Sequence, residues 1–589
     1  MKIQFRPITN LKLFGCSAPL AGMLLASAAA HADLFTNCWF TADAGQYARI
    51  YTNTAMQTAG TPITTWSNGS QTQSAPAYCG VQDVYSSTDW VYVRSTGLAS
   101  YNMGPWFLNV AHTMTFPNLP VNQKNLYRLP RTNSVPATKS ITGGGQIGIF
   151  VDGVAMFNSW DAYYWNGTAD VSGGGTGYWN RDAYVNEGAT FDAGNAHQQN
   201  TGTYHYHANP IALRYLLGDH VDFNPATHTY AEDTNPPTQH SPILGWVADG
   251  FPVYGPYGYS NPTNPASGIR RMVSGYVIRD GNYGTSNLTA NGRTTIPQWA
   301  ARLFNVASNI IAGPTVSASY PLGRYMEDND YLGDHGYTQG VDFDLDEYNG
   351  RWCVTPEFPS GTYAYFVAIA SNGTPVFPYN IGRGYYGSPV GGQVGSITET
   401  VATNFLGGPD ATPALNAPAV NNGAVTLSWS ATEGGTYLVE STTNFANWIT
   451  NAPSVAAVLT GASYTNNPTD NYRFYRVGRT ALASYDPVSI TTGGTYPVPG
   501  GSVSRGNGTN ITLNITLPGT PPAPPANARI TSVTLGSLTA TSASYPTQGT
   551  VLANFTIPAK ATTGAQNVVV TFTSGPPPYT FTGGFTINP

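Results

Sequence analysis

The sequence predicts an all-β protein: a large β-sandwich-like N-terminal domain followed by two small β-sandwiches. Three observations carry this expectation. Gly (65), Pro (45) and Tyr (38) are abundant while only 10% of the 589 residues are charged, a composition suited to short strands and tight turns rather than long amphipathic helices. Period-two alternation recurs in short runs such as Ala424-Val425-Thr426-Leu427-Ser428-Trp429 and Ile511-Thr512-Leu513-Asn514-Ile515-Thr516-Leu517, the mark of half-buried strands. Asp-Gly and Asn-Gly pairs separate β-prone runs, because Gly accepts the positive φ of a tight hairpin turn.

The chain opens with Lys2, Arg6 and Lys12, an apolar run through Leu20, Met23 and Leu25, and Ala30-His31-Ala32. This pattern reads as a signal peptide over 1–32, cleaved after Ala32. Beyond it no apolar run approaches the roughly 20 residues of a membrane helix, so no membrane span is expected. The protein is expected to be secreted or extracellular, with the periplasm or outer cell surface as alternative destinations. A net charge of -6 argues against nucleic acid as partner. Cleavage leaves Cys38, Cys79 and Cys353, an odd count for which one disulfide and one spare thiol is the simplest arrangement. Three pairings are open, of which Cys38 with Cys79 is the most local.

Four segments follow from composition: the leader at 1–32, an N-terminal β domain over 33–405, and modules over 412–480 and 487–589. All eight histidines beyond the leader, at 112, 197, 205, 207, 220, 228, 240 and 335, fall in the first domain. The module at 412–480 resembles fibronectin type III-like domains, with Trp429 and Tyr475 in the places of the early-strand Trp and late-strand Tyr. The last, with its Pro521–Pro525 loop, is expected to be a second immunoglobulin-like sandwich. Neither carries a cluster of His, Cys or paired carboxylates, so both read as spacers or binding modules, with glycans or cell-surface components as expected partners.

Two internal echoes mark the first domain. Gly148-Ile149-Phe150-Val151-Asp152-Gly153-Val154-Ala155-Met156-Phe157 lines up with Gly245-Trp246-Val247-Ala248-Asp249-Gly250-Phe251-Pro252-Val253-Tyr254, and Asn372-Gly373-Thr374-Pro375-Val376-Phe377 repeats the end of the pattern. Three related hairpins of one sheet system are expected, with Asp152 and Asp249 serving the turns. The second echo sets Gly202-Thr203-Tyr204-His205-Tyr206-His207 against Gly361-Thr362-Tyr363-Ala364-Tyr365-Phe366. Alternate residues of a strand face one way, so His205 and His207 point together about 6.6 Å apart at Cα, on a face that Ala364 and Phe366 mark as buried. Neutral imidazoles can converge on one metal at about 2.0–2.1 Å, whereas two protonated rings side by side repel. Copper or zinc is the expected ion. A third ligand must come from elsewhere, His240 first, then His335, with His197 and His220 behind.

Tyr204-His205-Tyr206-His207, His240-Ser241-Pro242-Ile243-Leu244-Gly245, Asp249-Gly250-Phe251-Pro252-Val253-Tyr254-Gly255-Pro256 and Thr355-Pro356-Glu357-Phe358 together resemble the YHYH domain family over roughly residues 85–390. The resemblance implies the domain and brings no established activity with it. A looser likeness links Gly202-Thr203-Tyr204 and Tyr206-His207 to copper-ligand segments of cupredoxins and multicopper oxidases, whose His-Cys-His segment is absent here.

Asp342, Asp344 and Asp346 lie in an acidic run from Glu327 to Glu347. Calcium is one reading, but alternation with Phe343 and Leu345 favours a strand with a solvated acidic face. No Gly-x-Ser-x-Gly, His-Glu-x-x-His or Walker pattern occurs. The principal expectation is a secreted metal-binding protein. The alternatives are a carbohydrate-binding or carbohydrate-active protein, for which the many Tyr and Trp supply stacking faces, and a non-catalytic surface or adhesion protein.

Overall fold

The computed structural model describes residues 34–588 apart from 69–70, 75, 174–176, 310–311, 409–412, 434, 458–460, 471, 482–488, 493–500, 505–508, 518–529, 548–549, 559–560 and 573–578. The expected leader at 1–32 and the Pro521–Pro525 loop lie outside the described residues. The chain is all-β, with short helices between strands.

Residues 34–406 are built around two large sheets, with smaller ones beside them. β1 (Val81–Ser86), β2 (Trp90–Ser95) and β3 (Asn125–Pro130) make an antiparallel meander. The second sheet takes its eight strands from β4 (Gly148–Phe150), β5 (Ala155–Met156), β6 (Ala196–Gln198), β7 (Tyr204–Tyr206), β8 (Ile243–Val247), β9 (Pro252–Tyr254), β10 (Gly350–Cys353) and β11 (Thr362–Phe366). β12 (Gly392–Gln393) and β13 (Ala402–Leu406) then return to the two edges of the first sheet. Side chains from both sheets, Val84, Val93 and Tyr127 from one and Ile149, Met156, Trp246 and Val253 from the other, share a single apolar cluster.

The eight strands run in the order β6-β7-β5-β4-β8-β9-β11-β10, which is the internal echo made visible. Each half contains a hairpin, β4–β5 or β8–β9. Its second strand takes a parallel neighbour, β7 or β11, which carries an antiparallel edge strand, β6 or β10. The halves meet at the antiparallel β4–β8 pair. The turns work as the sequence indicates: Gly153 and Gly250 adopt φ of 83° and 80°, and the Asp152 and Asp249 carboxylates accept the backbone N–H of Val154 and Phe251. The third echo closes a turn at Asn372-Gly373 with a bridge between Ile369 and Pro375 outside the named strands.

Between the strands lie α1 (Ala183–Glu187), whose N-terminal N–H of Val185 is capped by Asp182, and α2 (Gln298–Phe304). α2 belongs to a second apolar cluster with Trp160, Trp179, Tyr276 and Phe377. Among the described residues no helix is long and apolar enough to cross a membrane.

Two expectations are corrected. No disulfide joins Cys38, Cys79 and Cys353: the Trp246 indole N–H donates to Cys38 Sγ at 3.1 Å, Cys79 is buried in the main core, and Cys353 ends the edge strand β10 opposite Thr362. The acidic run is not a strand with a solvated face. Asp344 is buried and held by both Nη atoms of Arg270, each at 2.6 Å, while Asp346 accepts the N–H of Tyr348 and Gly350 and the hydroxyl of Tyr363. Asp342 accepts the N–H of Thr338. These carboxylates are engaged in separate turns and ion pairs.

Beyond residue 412, Ala419–Asn421, Ala424–Ser430 and Gly461–Asn466 form one sheet, and Ile449–Ala456, Thr436–Thr442 and Phe474–Ala481 another. Trp429 and Tyr475 are both in the apolar cluster that these sheets share, and Trp429 meets Tyr437 edge-on at 5.8 Å. The remaining strands form a four-stranded and a five-stranded sheet with another common cluster that includes Leu513, Phe555 and Val570.

Candidate metal centre

β6 and β7 form an antiparallel hairpin in which His197 stands directly opposite His205, and His207 follows at the end of β7. All three rings are buried, and they bring one ligand atom each to within 4.8 Å of one another. Nε2 of His205 and Nε2 of His207 are 3.0 Å apart. Two nitrogens at that spacing subtend about 91–97° at an ion 2.0–2.1 Å from each.

The other ring nitrogens are committed. Nδ1 of His205 lies 2.9 Å from the Thr203 carbonyl oxygen and Nδ1 of His207 lies 2.6 Å from that of Asn158. A carbonyl only accepts, so both Nδ1 atoms carry the proton and donate it. Nδ1 of His197 lies 2.7 Å from Thr190 Oγ1, and that hydroxyl donates to the Glu187 carbonyl, which leaves it to accept from the imidazole. Each neutral ring therefore turns an Nε2 lone pair into the same space, and outer hydrogen bonds of this kind orient metal-binding histidines.

Burial holds His207 down to about 4, and burial followed by the neighbouring imidazoles holds His197 and His205 well below the usual value. The rings are thus neutral at pH 7, as ligation requires. Aromatic side chains wall them in: Phe157 stacks on His205 with centroids 3.9 Å apart, and Phe191 meets His197 edge-on at 4.8 Å. One carboxylate reaches the centre, Glu187 at the end of α1, with Oε2 3.4 Å from His207 Nε2 and 3.7 Å from His197 Nε2. Burial and the nearby Asp161 push its carboxyl up to about 8.

The tyrosines of the same strand face the opposite way. Tyr101 Oη lies 2.8 Å from Tyr204 Oη and 2.6 Å from Tyr206 Oη, and Tyr204 donates to Asp192 at 2.6 Å. Asp192 also accepts from the backbone N–H of Gly104, Gly194 and Ala196, which fixes the entry into β6 immediately before His197. The tyrosines hold the strand from behind; the histidines present its chemistry.

His240 and His335 are not in this group. His240 lies in the segment before β8, its ring 5.0 Å from those of Tyr254 and Tyr259, with Nδ1 donating to the Ser241 carbonyl at 2.8 Å. His335 stands beside Asp330, 3.1 Å away, and His220 beside Asp233, 3.6 Å away. In the second half of the sheet, Arg351 opposes Ala364 as His197 opposes His205, and Phe366 takes the place of His207. The sequence favoured His240 over His197 because His240 precedes the repeated Gly245 hairpin; the signal for His197 is the register that sets it opposite His205. Glu187 had no sequence signal beyond being one of few carboxylates.

Comparison with known proteins agrees with the motif. Residues 126–377 match the family model described as YHYH protein, a span that contains all three histidines and Glu187. No curated protein matches the chain. Among solved structures, SGBP-B from a complex xyloglucan utilization locus in Bacteroides uniformis is similar at 13% identity and a TM-score of 0.11, with 30% of this chain and 50% of that chain covered. The alignment thus spans half the length of that protein. Dpr2 Ig1-Ig2 in complex with DIP-Theta Ig1-Ig3 is similar at 10% identity and a TM-score of 0.14, covering 30% of this chain and 100% of that chain. Overlaps this limited bear on neither the fold nor the site.

Proposed function

We propose that the N-terminal domain is an extracellular transition-metal-binding module, with copper or zinc held on Nε2 of His197, His205 and His207 and Glu187 beside the ion. One observation supports this above the rest: two Nε2 lone pairs face each other at 3.0 Å while both Nδ1 protons are tied to carbonyl oxygens. Without a cation between them those lone pairs repel, and a proton there is opposed by burial. Three neutral imidazoles suit zinc or copper rather than calcium or magnesium, which prefer oxygen donors. The leader expected over 1–32 supports an extracellular setting.

The test is elemental analysis of untagged protein loaded with Zn²⁺ or Cu²⁺ and then desalted. One equivalent retained by the wild type and lost in His205→Ala supports the reading. Equal metal content in the two proteins, or none in either, overturns it.

A further inference from the structure

Away from the histidines, a cavity of about 460 Å³ opens between α2 and the 137–139 and 347–348 segments, within the size range of small-molecule sites. Its mouth is exposed at Thr138, Arg302 and Asn305, whereas Tyr276, Trp299 and Arg383 are buried at its base. Two of its cations have no carboxylate within ion-pair distance among the described residues: Glu327 acts on Arg383, and Asp346, Asp249 and Glu347 on Lys139, only from farther away. Arg383, 2% exposed, gives one Nη1 hydrogen bond to the Thr142 carbonyl and lies 5.1 Å from the centre of the Trp160 ring, but its buried Nε has no acceptor. Lys139 Nζ donates to the Tyr386 carbonyl at 2.5 Å and sits 4.5 Å above the Tyr386 ring and 5.2 Å above that of Tyr348. Arg302, by contrast, is neutralised by Asp334 and Glu347.

A guanidinium and an ammonium lining one cavity, neither within ion-pair distance of a carboxylate, favour an anionic occupant over a neutral one. The walls narrow the class further. Trp299 and Tyr348 supply aromatic surface, while the paired Arg302–Glu347 and Asn305 supply donors and acceptors suited to hydroxyl groups. A purely aromatic acid has no use for these polar groups, and a bare inorganic anion has no use for the rings or the volume.

We propose that this cavity binds the carboxylate-bearing ring of an acidic sugar, with the carboxylate at Arg383 and Lys139 and the ring against Trp299 and Tyr348. The site is independent of the histidine centre, and its failure or success leaves the metal reading untouched.

The experiment is calorimetric titration of the full chain at pH 7 with D-galacturonate, D-glucuronate, D-galactose and inorganic phosphate. At least one uronate is expected to bind ten-fold or more tightly than galactose and phosphate, with Lys139→Gln weakening it at least ten-fold and Arg383→Gln weakening it further. Because Arg383 is buried and its replacement can disturb folding, the half-exposed Lys139 carries the decision. No uronate binding, galactose or phosphate binding as tightly as the uronates, or an unchanged affinity in Lys139→Gln each overturns the proposal.

Discussion

Nε2 of His205, in β7, and Nε2 of His207, immediately after it, stand 3.0 Å apart, each ring turned by a hydrogen bond from its Nδ1–H to a backbone carbonyl. The orientation comes from the main chain rather than from a neighbouring side chain, so replacing one ring leaves the acceptors of the others in place.

His197 and His240 separate the observed centre from the one expected from sequence. His197→Ala is expected to lower zinc or copper affinity by about 100-fold or more, since it removes one of three ligands. His240→Ala is expected to leave affinity within about three-fold, because its ring packs on Tyr254 and Tyr259, away from the three converging imidazoles. Competition titration against a chromophoric chelator reads both values, and the reverse ranking refutes the assignment of the third ligand.

The double variant His205→Ala/His207→Phe copies β11 into β7. Both backgrounds are buried and share the parallel pairing to the preceding hairpin, so the metal-free variant is expected to stay folded and within about 2 kcal/mol of the metal-free wild type. It is expected to lose the rise in Tm that added metal gives the wild type. Thermal melts with and without Zn²⁺ test this; a Tm rise retained by the variant is the contrary result.

Tyr204→Phe distinguishes the two faces of the strand. Removing its hydroxyl takes a hydrogen bond from the buried Asp192, whose carboxyl burial already pushes up to about 6, at an expected cost of about 1–3 kcal/mol. Metal affinity, measured on the folded fraction, is expected to change less than three-fold.

Asp152 gives a pH dependence of defined sign. Burial raises its carboxyl from 3.8 to about 7, so the folded state holds a proton that the unfolded chain releases. Its stabilising contribution is complete below the unfolded value and is lost as pH rises through 7. Asp152→Asn, which cannot ionise, is therefore expected to gain about 2–3 kcal/mol on the wild type between pH 5 and pH 8. Urea unfolding at the two pH values checks it, and a constant difference contradicts it.

The local features were legible in the sequence and the distant ones were not. Asp152-Gly153 and Asp249-Gly250 announce their hairpins because turn chemistry resides in two adjacent residues. The pairing of His205 with His207 follows from strand periodicity alone. The palindromic strand order depends on the long-range contact of Gly148–Phe150 with Ile243–Val247, which no local pattern encodes. His240 looked like a ligand because it precedes one of the repeated hairpins, yet that hairpin belongs to the half whose counterpart residues are Arg351, Ala364 and Phe366. The alternation around Asp344 resembled a strand because turn-capping and ion-paired carboxylates happened to fall at every second residue.

The repeated half-sheet also records what its backbone tolerates. One copy carries three imidazoles at positions where the other carries a guanidinium, a methyl and a phenyl ring, and the same ladder of strands closes over both. Chemistry at those three positions is thus uncoupled from the architecture that supports them: a lineage built on this scaffold is free to exchange, lose or acquire reactive groups there while the inherited main-chain hydrogen bonding persists.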